Sequence, residues 1–208
     1  GLRRQRTTAH ADAKIAFATD LLTDTAVADW TALGIDAEGD LVEVIAFAGG
    51  SGGVVGRYKI TSVAVGGVTL TGWAATADTT NLSYRVIAGM KIYDGGSLTL
   101  WEATSGKGTV PMGCNMIQLF KDRMVVAGDS QNAGVWFMSR KGDPLDWLYG
   151  TTDVNGAVAA TNADQGLLPQ PITAVISFGD DYMLFGCQSE IWRLRGDPAF
   201  GGSLDNVS

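Results

Sequence analysis

At 208 residues with 46% hydrophobic side chains, the chain can build one large or two small packed domains and is too apolar for a disordered segment. No apolar run reaches the roughly 18 residues that cross a bilayer as a helix, and two cysteines with one histidine fall short of the about four N or S ligands of a structural zinc site. The formal net charge of −7 argues against a protein that holds nucleic acid chiefly through its phosphates.

Residues 1–9 carry Arg3, Arg4 and Arg6 and are expected to form a short basic arm on an otherwise acidic body. They lack the apolar stretch of a signal peptide, so a soluble chain made in the cytoplasm is expected. Residues 11–22 have helix-like spacing, and 23–32, ahead of Gly34, make the more convincing helical turn. Strands are expected at 41–46, 56–63, 68–72 and 82–87. Leu41-Val-Glu-Val-Ile and Tyr58-Lys-Ile-Thr-Ser-Val alternate apolar with polar residues, as strands with one buried face do. The glycines at 49–53 and at Gly66-Gly67 punctuate them. Four or five such strands close into a small SH3-like or OB-like barrel over residues 10–89, with the strand after Gly39-Asp antiparallel to the one after Gly56-Arg.

A boundary is expected near 88–90. Beyond it the strand signals fall at 90–93, 98–101, 116–120, 123–127, 135–139, 172–178, 182–186 and 190–195. This half repeats itself. Phe120-Lys-Asp-Arg-Met-Val-Val-Ala-Gly followed by Val135-Trp-Phe-Met-Ser-Arg-Lys-Gly-Asp-Pro has a counterpart in Phe178-Gly-Asp-Asp-Tyr-Met-Leu-Phe-Gly followed by Ile191-Trp-Arg-Leu-Arg-Gly-Asp-Pro. Phe120 matches Phe178, Asp122 matches Asp180, Gly128 matches Gly186, Trp136 matches Trp192 and Pro144 matches Pro198. Strand, Asp turn, strand, Gly turn, strand is the cadence of a β-propeller blade. The expected fold class is therefore all-β, with an incomplete set of propeller-like blades over 90–208. The two phenylalanines, and the two tryptophans, are expected to be buried equivalently.

No catalytic, cofactor or metal residues are expected. A hydrolytic triad needs a histidine, and His10 lies in the polar N-terminal segment, where an idle, exposed side chain is expected. Asp143, Asp146, Asp180, Asp181 and Glu190 offer carboxylates, but the aspartates sit in turn sequences, where they bond the local backbone. The 49–53 glycines lack the lysine of a P-loop, and the Gly106-Lys107 pair lacks its earlier glycine and its Ser or Thr. Arg195-Gly-Asp falls inside the repeated Gly-Asp-Pro turn. Residues 153–164 carry acids and amides without the calcium-loop spacing. Cys114 and Cys187 flank apolar strands and read as buried free thiols.

The segment Cys114-Asn-Met-Ile-Gln-Leu-Phe-Lys-Asp-Arg-Met-Val-Val-Ala-Gly and the phrase Val135-Trp-Phe-Met-Ser-Arg-Lys-Gly-Asp-Pro-Leu-Asp-Trp resemble phage tail nozzle proteins and the related DNA-stabilising tail accessory factors. Residues 176–195 look like the next blade of that family, and 28–45, with Gly-Ile-Asp-Ala-Glu-Gly-Asp-Leu-Val, look like the small barrel domain inserted in such proteins. The resemblance implies a structural, non-enzymatic virion tail component. It implies a homo-hexameric ring below the portal and adaptor, with genomic DNA passing through the lumen without sequence-specific binding. The alternative is a β-rich receptor- or glycan-binding module of a virion, in which exposed tryptophans such as Trp73 and Trp147 stack on sugars.

Overall fold

The computed structural model describes residues 2–37, 39–48, 53–93, 95–150 and 152–207, with side chains from residue 13 onward. The chain divides into two compact units, Gly1–Leu100 and Trp101–Ser208. The division falls beyond the expected limit at residue 89, because β7 (Lys91–Tyr93) and β8 (Leu98–Leu100) form a hairpin that belongs with the first unit.

In the first unit β1 (Leu2–Ala16), β2 (Leu21–Asp24), β3 (Asp40–Ala46), β4 (Gly56–Ala64), β5 (Gly67–Thr71) and β6 (Thr79–Ala88) close into a barrel in the order β1-β2-β5-β4-β3-β6. Closure leaves no strand edge open to another chain. The alternation read from the sequence holds for the inner face, but β3 is buried on both faces, Leu41 and Glu43 being covered along with Val42 and Val44. Val42 and Val44, Ile60, Val68 and Leu70, and Leu82, Tyr84 and Val86 point into one core around Trp30. Strands β3 and β4 pair antiparallel as expected, with Leu41 opposite Lys59. Trp30 stacks on Tyr84 at 6.0 Å, and the Tyr84 hydroxyl donates to buried Asp24 at 2.8 Å.

The N-terminal segment departs from expectation. Rather than a free arm, Leu2–Ala16 is a strand whose backbone pairs with β6, Arg4 opposite Val86 and Arg6 opposite Tyr84. The side chains of Arg3, Arg4, Arg6 and His10 lie outside the described residues. The helix-like spacing of 11–22 runs instead through β1 into β2. Pairing with β6 and β2 satisfies the backbone groups that a helix would have satisfied internally. Of the expected helical turn at 23–32 only a 3-10 turn, Thr31–Leu33, forms, and Gly34 at φ 64° caps it.

The second unit holds two antiparallel meanders. The first joins β9 (Met116–Phe120), β10 (Arg123–Ala127), β11 (Trp136–Met138) and β12 (Val158–Ala159). The second joins β13 (Ala174–Phe178), β14 (Tyr182–Gly186), β15 (Ile191–Arg195) and β16 (Ser203–Asn206). The protein is thus all-β, and its described residues form a closed six-stranded barrel, two four-stranded sheets and a small hairpin.

Candidate functional site

The register of the two sheets shows how the repeat is built. Asn115 N–H donates to the Ala127 carbonyl at 3.1 Å, and Thr173 N–H donates to the Gly186 carbonyl at 2.8 Å. Met116 pairs with Ala127, and Ala174 with Gly186. The same irregular rung opens each meander, so Met116 aligns with Ala174, Gln118 with Ile176 and Phe120 with Phe178. The phenylalanines therefore hold equivalent positions, as the sequence suggested.

Their burial is not equivalent, and this corrects the expectation. Phe120 is 1% exposed and Phe178 60%. The first sheet turns the face bearing Phe120, Val125, Trp136 and Met138 toward the second, which answers with its opposite face, bearing Met183, Phe185 and Leu194. Two repeats related by sequence therefore stack like face on unlike face. Trp136 stacks on Phe185 across the seam at 6.1 Å. Gln118 Nε2 donates to Ser177 Oγ at 2.6 Å, and the Lys121 amide donates to Asp180 Oδ1 at 2.9 Å.

The tryptophans do not align. Trp136 pairs with Ala127, whereas Trp192 pairs with Phe185, one rung away from Gly186. Successive residues point to opposite faces, so Trp192 lies on the face opposite to Trp136's position. It is half-buried, donating from Nε1 to Glu190 at 2.8 Å. Asp122 and Asp180 serve different turns. Lys121 and Asp122, at φ 50° and 59°, make a tight two-residue turn, whereas in the second hairpin Gly179 takes the positive φ. Gly128 has φ 77°, while its counterpart Gly186 lies within β14.

The two Gly-Asp-Pro turns do match. Gly142 and Gly196 have φ 73° and 75°. Asp143 Oδ1 accepts from Leu145 N–H at 2.9 Å, and Asp197 Oδ1 from Ala199 N–H at 3.0 Å. Each aspartate caps the turn that its proline begins. Pro198 is buried, and the Pro144 carbonyl accepts from Trp147 Nε1 at 2.8 Å and Trp101 Nε1 at 3.1 Å.

Arg123, not singled out by the sequence, ties this unit together. Its fully buried guanidinium donates to the carbonyls of Ser139 (3.0 Å), Val154 (3.1 Å), Asn155 (3.2 Å) and Gly156 (2.6 Å), and pairs with Asp197 at 3.2 Å. One cation thereby binds the first sheet, the 153–157 loop and the second Gly-Asp-Pro turn. A lone Arg at a strand start gives no sequence signal of this.

Two further carboxylates are held by local partners. Asp146 is buried and pairs with Lys107 Nζ at 3.0 Å. Burial pushes its carboxyl up, but the Leu148 N–H and Lys107 outweigh that and hold it below the usual carboxylate range. Asp153 pairs with Arg140 at 2.6 Å, and the Asn155 N–H, then Arg140, hold its carboxyl low. Among the described residues no group of three His, Cys, Asp or Glu stands ready for a metal. Neither cysteine is in a disulfide: Cys114 is buried, and Cys187 is half-buried, its thiol pushed up by burial and by Glu190. Trp73 and Trp147, expected as exposed sugar platforms, are 4% and 0% exposed. Trp73 meets Tyr58 edge-on at 4.9 Å, and Trp147 meets Trp101 at 5.7 Å, so both are spent on packing. The chain matches no family model, no curated protein and no solved structure.

Proposed function

We propose that this chain is a structural, non-enzymatic part of a phage tail of the nozzle type, in which propeller-like blades contribute to a homo-oligomeric ring that conducts DNA. The observation that carries the reading is the stacked repeat: both phrases that resemble nozzle proteins coincide with strands of one meander, and the second meander repeats its register. The barrel agrees with the small inserted domain that the same resemblance implies. The net charge of −7 suits a conduit, because a duplex slides past an acidic or neutral wall and sticks to a basic one. A glycan-binding reading loses the tryptophans that motivated it, since both are buried.

Two measurements test the proposal. Negative-stain images of the assembled protein should show rings, and gel-shift titration should show no tight, salt-sensitive binding of duplex DNA. Tight binding that weakens steeply with salt, or a single copy per tail particle, would overturn it.

A further inference from the structure

The Arg123 clamp closes over a chemically reactive dipeptide. Asn155-Gly156 is the single Asn-Gly pair in the sequence. In such a pair the glycine nitrogen attacks the carbonyl carbon of the asparagine side chain, because glycine brings no Cβ to hinder the approach. The new C–N bond closes a succinimide ring and expels ammonia. Water then opens the ring at either carbonyl, leaving aspartate or isoaspartate. Asn155 is exposed, so water and base reach it, whereas Gly156 is buried. The Gly156 N–H donates to the Asp153 carbonyl at 2.8 Å, and neither Val154 nor Asn155 has a positive φ, which is the pattern of a type I turn. In that turn ψ of the third residue is about 0°, which points the Gly156 nitrogen away from the Asn155 Cβ. Ring closure therefore needs the Asn155–Gly156 peptide to rotate. The Asn155 carbonyl lies in the same peptide plane, and it accepts from the Lys141 N–H at 2.9 Å and from Arg123 Nη1 at 3.2 Å. Rotation pulls it off both donors and disturbs the Gly156 carbonyl, which Arg123 Nη1 holds at 2.6 Å.

We infer that Asn155-Gly156 is a self-modification site that the Arg123 clamp holds shut, so that each opening of the clamp exposes the pair to one-way conversion. A reaction that needs a local opening runs at a rate set by the population of the open form. Conversion then prevents the clamp from closing again. In isoaspartate the former α-carbonyl of Asn155 becomes a carboxylate branch, and the chain reaches Gly156 through the former side chain, one atom longer. The turn no longer keeps its Asp153-to-Gly156 bond together with both Arg123 bonds. Because the same guanidinium pairs with Asp197 at 3.2 Å, the change loosens the tie between the first sheet and the second Gly-Asp-Pro turn. Neither the turn nor the clamp depends on the tail role proposed above.

Peptide mass mapping of the whole chain tests it, after incubation at mildly alkaline pH in buffer and in denaturing urea. Conversion of Asn155 should be at least about tenfold slower in the folded chain, which is an opening free energy of about 1.4 kcal/mol or more. Arg123→Lys keeps the charge and loses the planar fork; with an unchanged circular dichroism spectrum it should convert faster than wild type. If that variant does not fold, Asp197→Asn replaces it, since it frees the guanidinium on one side and should speed conversion in the same direction. In wild type, conversion should also rise with sub-denaturing urea in step with hydrogen exchange at the Gly156 amide. The isoaspartate form, once separated, should have lost the protection of that amide. Equal rates in the folded and unfolded chain, conversion that follows neither the variant nor the exchange rate, or an isoaspartate form with Gly156 still protected would overturn the inference.

Discussion

Phe120 and Phe178 are the same side chain on the same rung of equivalent hairpins, and their surroundings make them unlike. Phe120 is enclosed between two sheets; Phe178 stacks on Tyr182 at 5.1 Å, with its other face in water. Phe120→Ala should therefore cost about 3–5 kcal/mol, the range for emptying a buried aromatic site. Phe178→Ala should change the monomer's stability by less than about 0.5 kcal/mol, as surface substitutions do. Urea unfolding of dilute protein checks both, and equal losses would show that the two sites are packed alike. Asp146 makes a second case at this scale. Its folded carboxyl titrates below the ordinary value, so its contribution is complete above the unfolded pKa of about 3.9 and is lost as pH falls through the folded value. Lys107→Met removes one of the groups holding it down, and burial then acts with less opposition. The expected outcome is acid unfolding that begins at higher pH than in wild type, followed by tryptophan fluorescence. An unshifted acid limb would mean that Lys107 leaves the carboxyl unaffected.

Strand β1 seals the barrel on both sides, pairing with β2 through Ala13–Ala16 and with β6 along most of its length. Deleting residues 2–9 removes the rungs from Leu2↔Ile87 to Arg6↔Tyr84. Hydrogen exchange should then quicken at the β6 amides of 84–87 that face β1, while β13–β16 keep their protection; unchanged exchange in β6 would mean that the seam is held elsewhere. This strand was the least legible element, because Leu2-Arg-Arg-Gln-Arg-Thr-Thr is polar without alternation and its extended form comes from the partners it closes against. The hairpins Met116–Phe120 with Arg123–Ala127, and Ala174–Phe178 with Tyr182–Gly186, were legible because apolar runs are cut there by Asp and Gly turns. Val158–Ala159 and Ser203–Asn206 were not, one being too short to show a period and the other too polar.

For the whole molecule, a net charge of −7 makes copies of the chain repel one another at low salt. Salt screens that repulsion within a Debye length of about 8 Å at physiological ionic strength, so the second virial coefficient measured by light scattering should fall from low to physiological salt; an unchanged coefficient would mean that charge does not govern how copies meet. Composition and pattern alone determined that the chain is all-β and that its second half repeats a hairpin phrase. Those are local properties, written in turn residues and in the period of two. Only the tertiary structure decided that Trp73 and Trp147 are core, that Arg123 is a buried tie, and that Phe120 is covered while Phe178 is not. A period of two says that a strand has two faces, but what lies against each face is set by which sheet stacks on which, and that depends on residues far away in the chain.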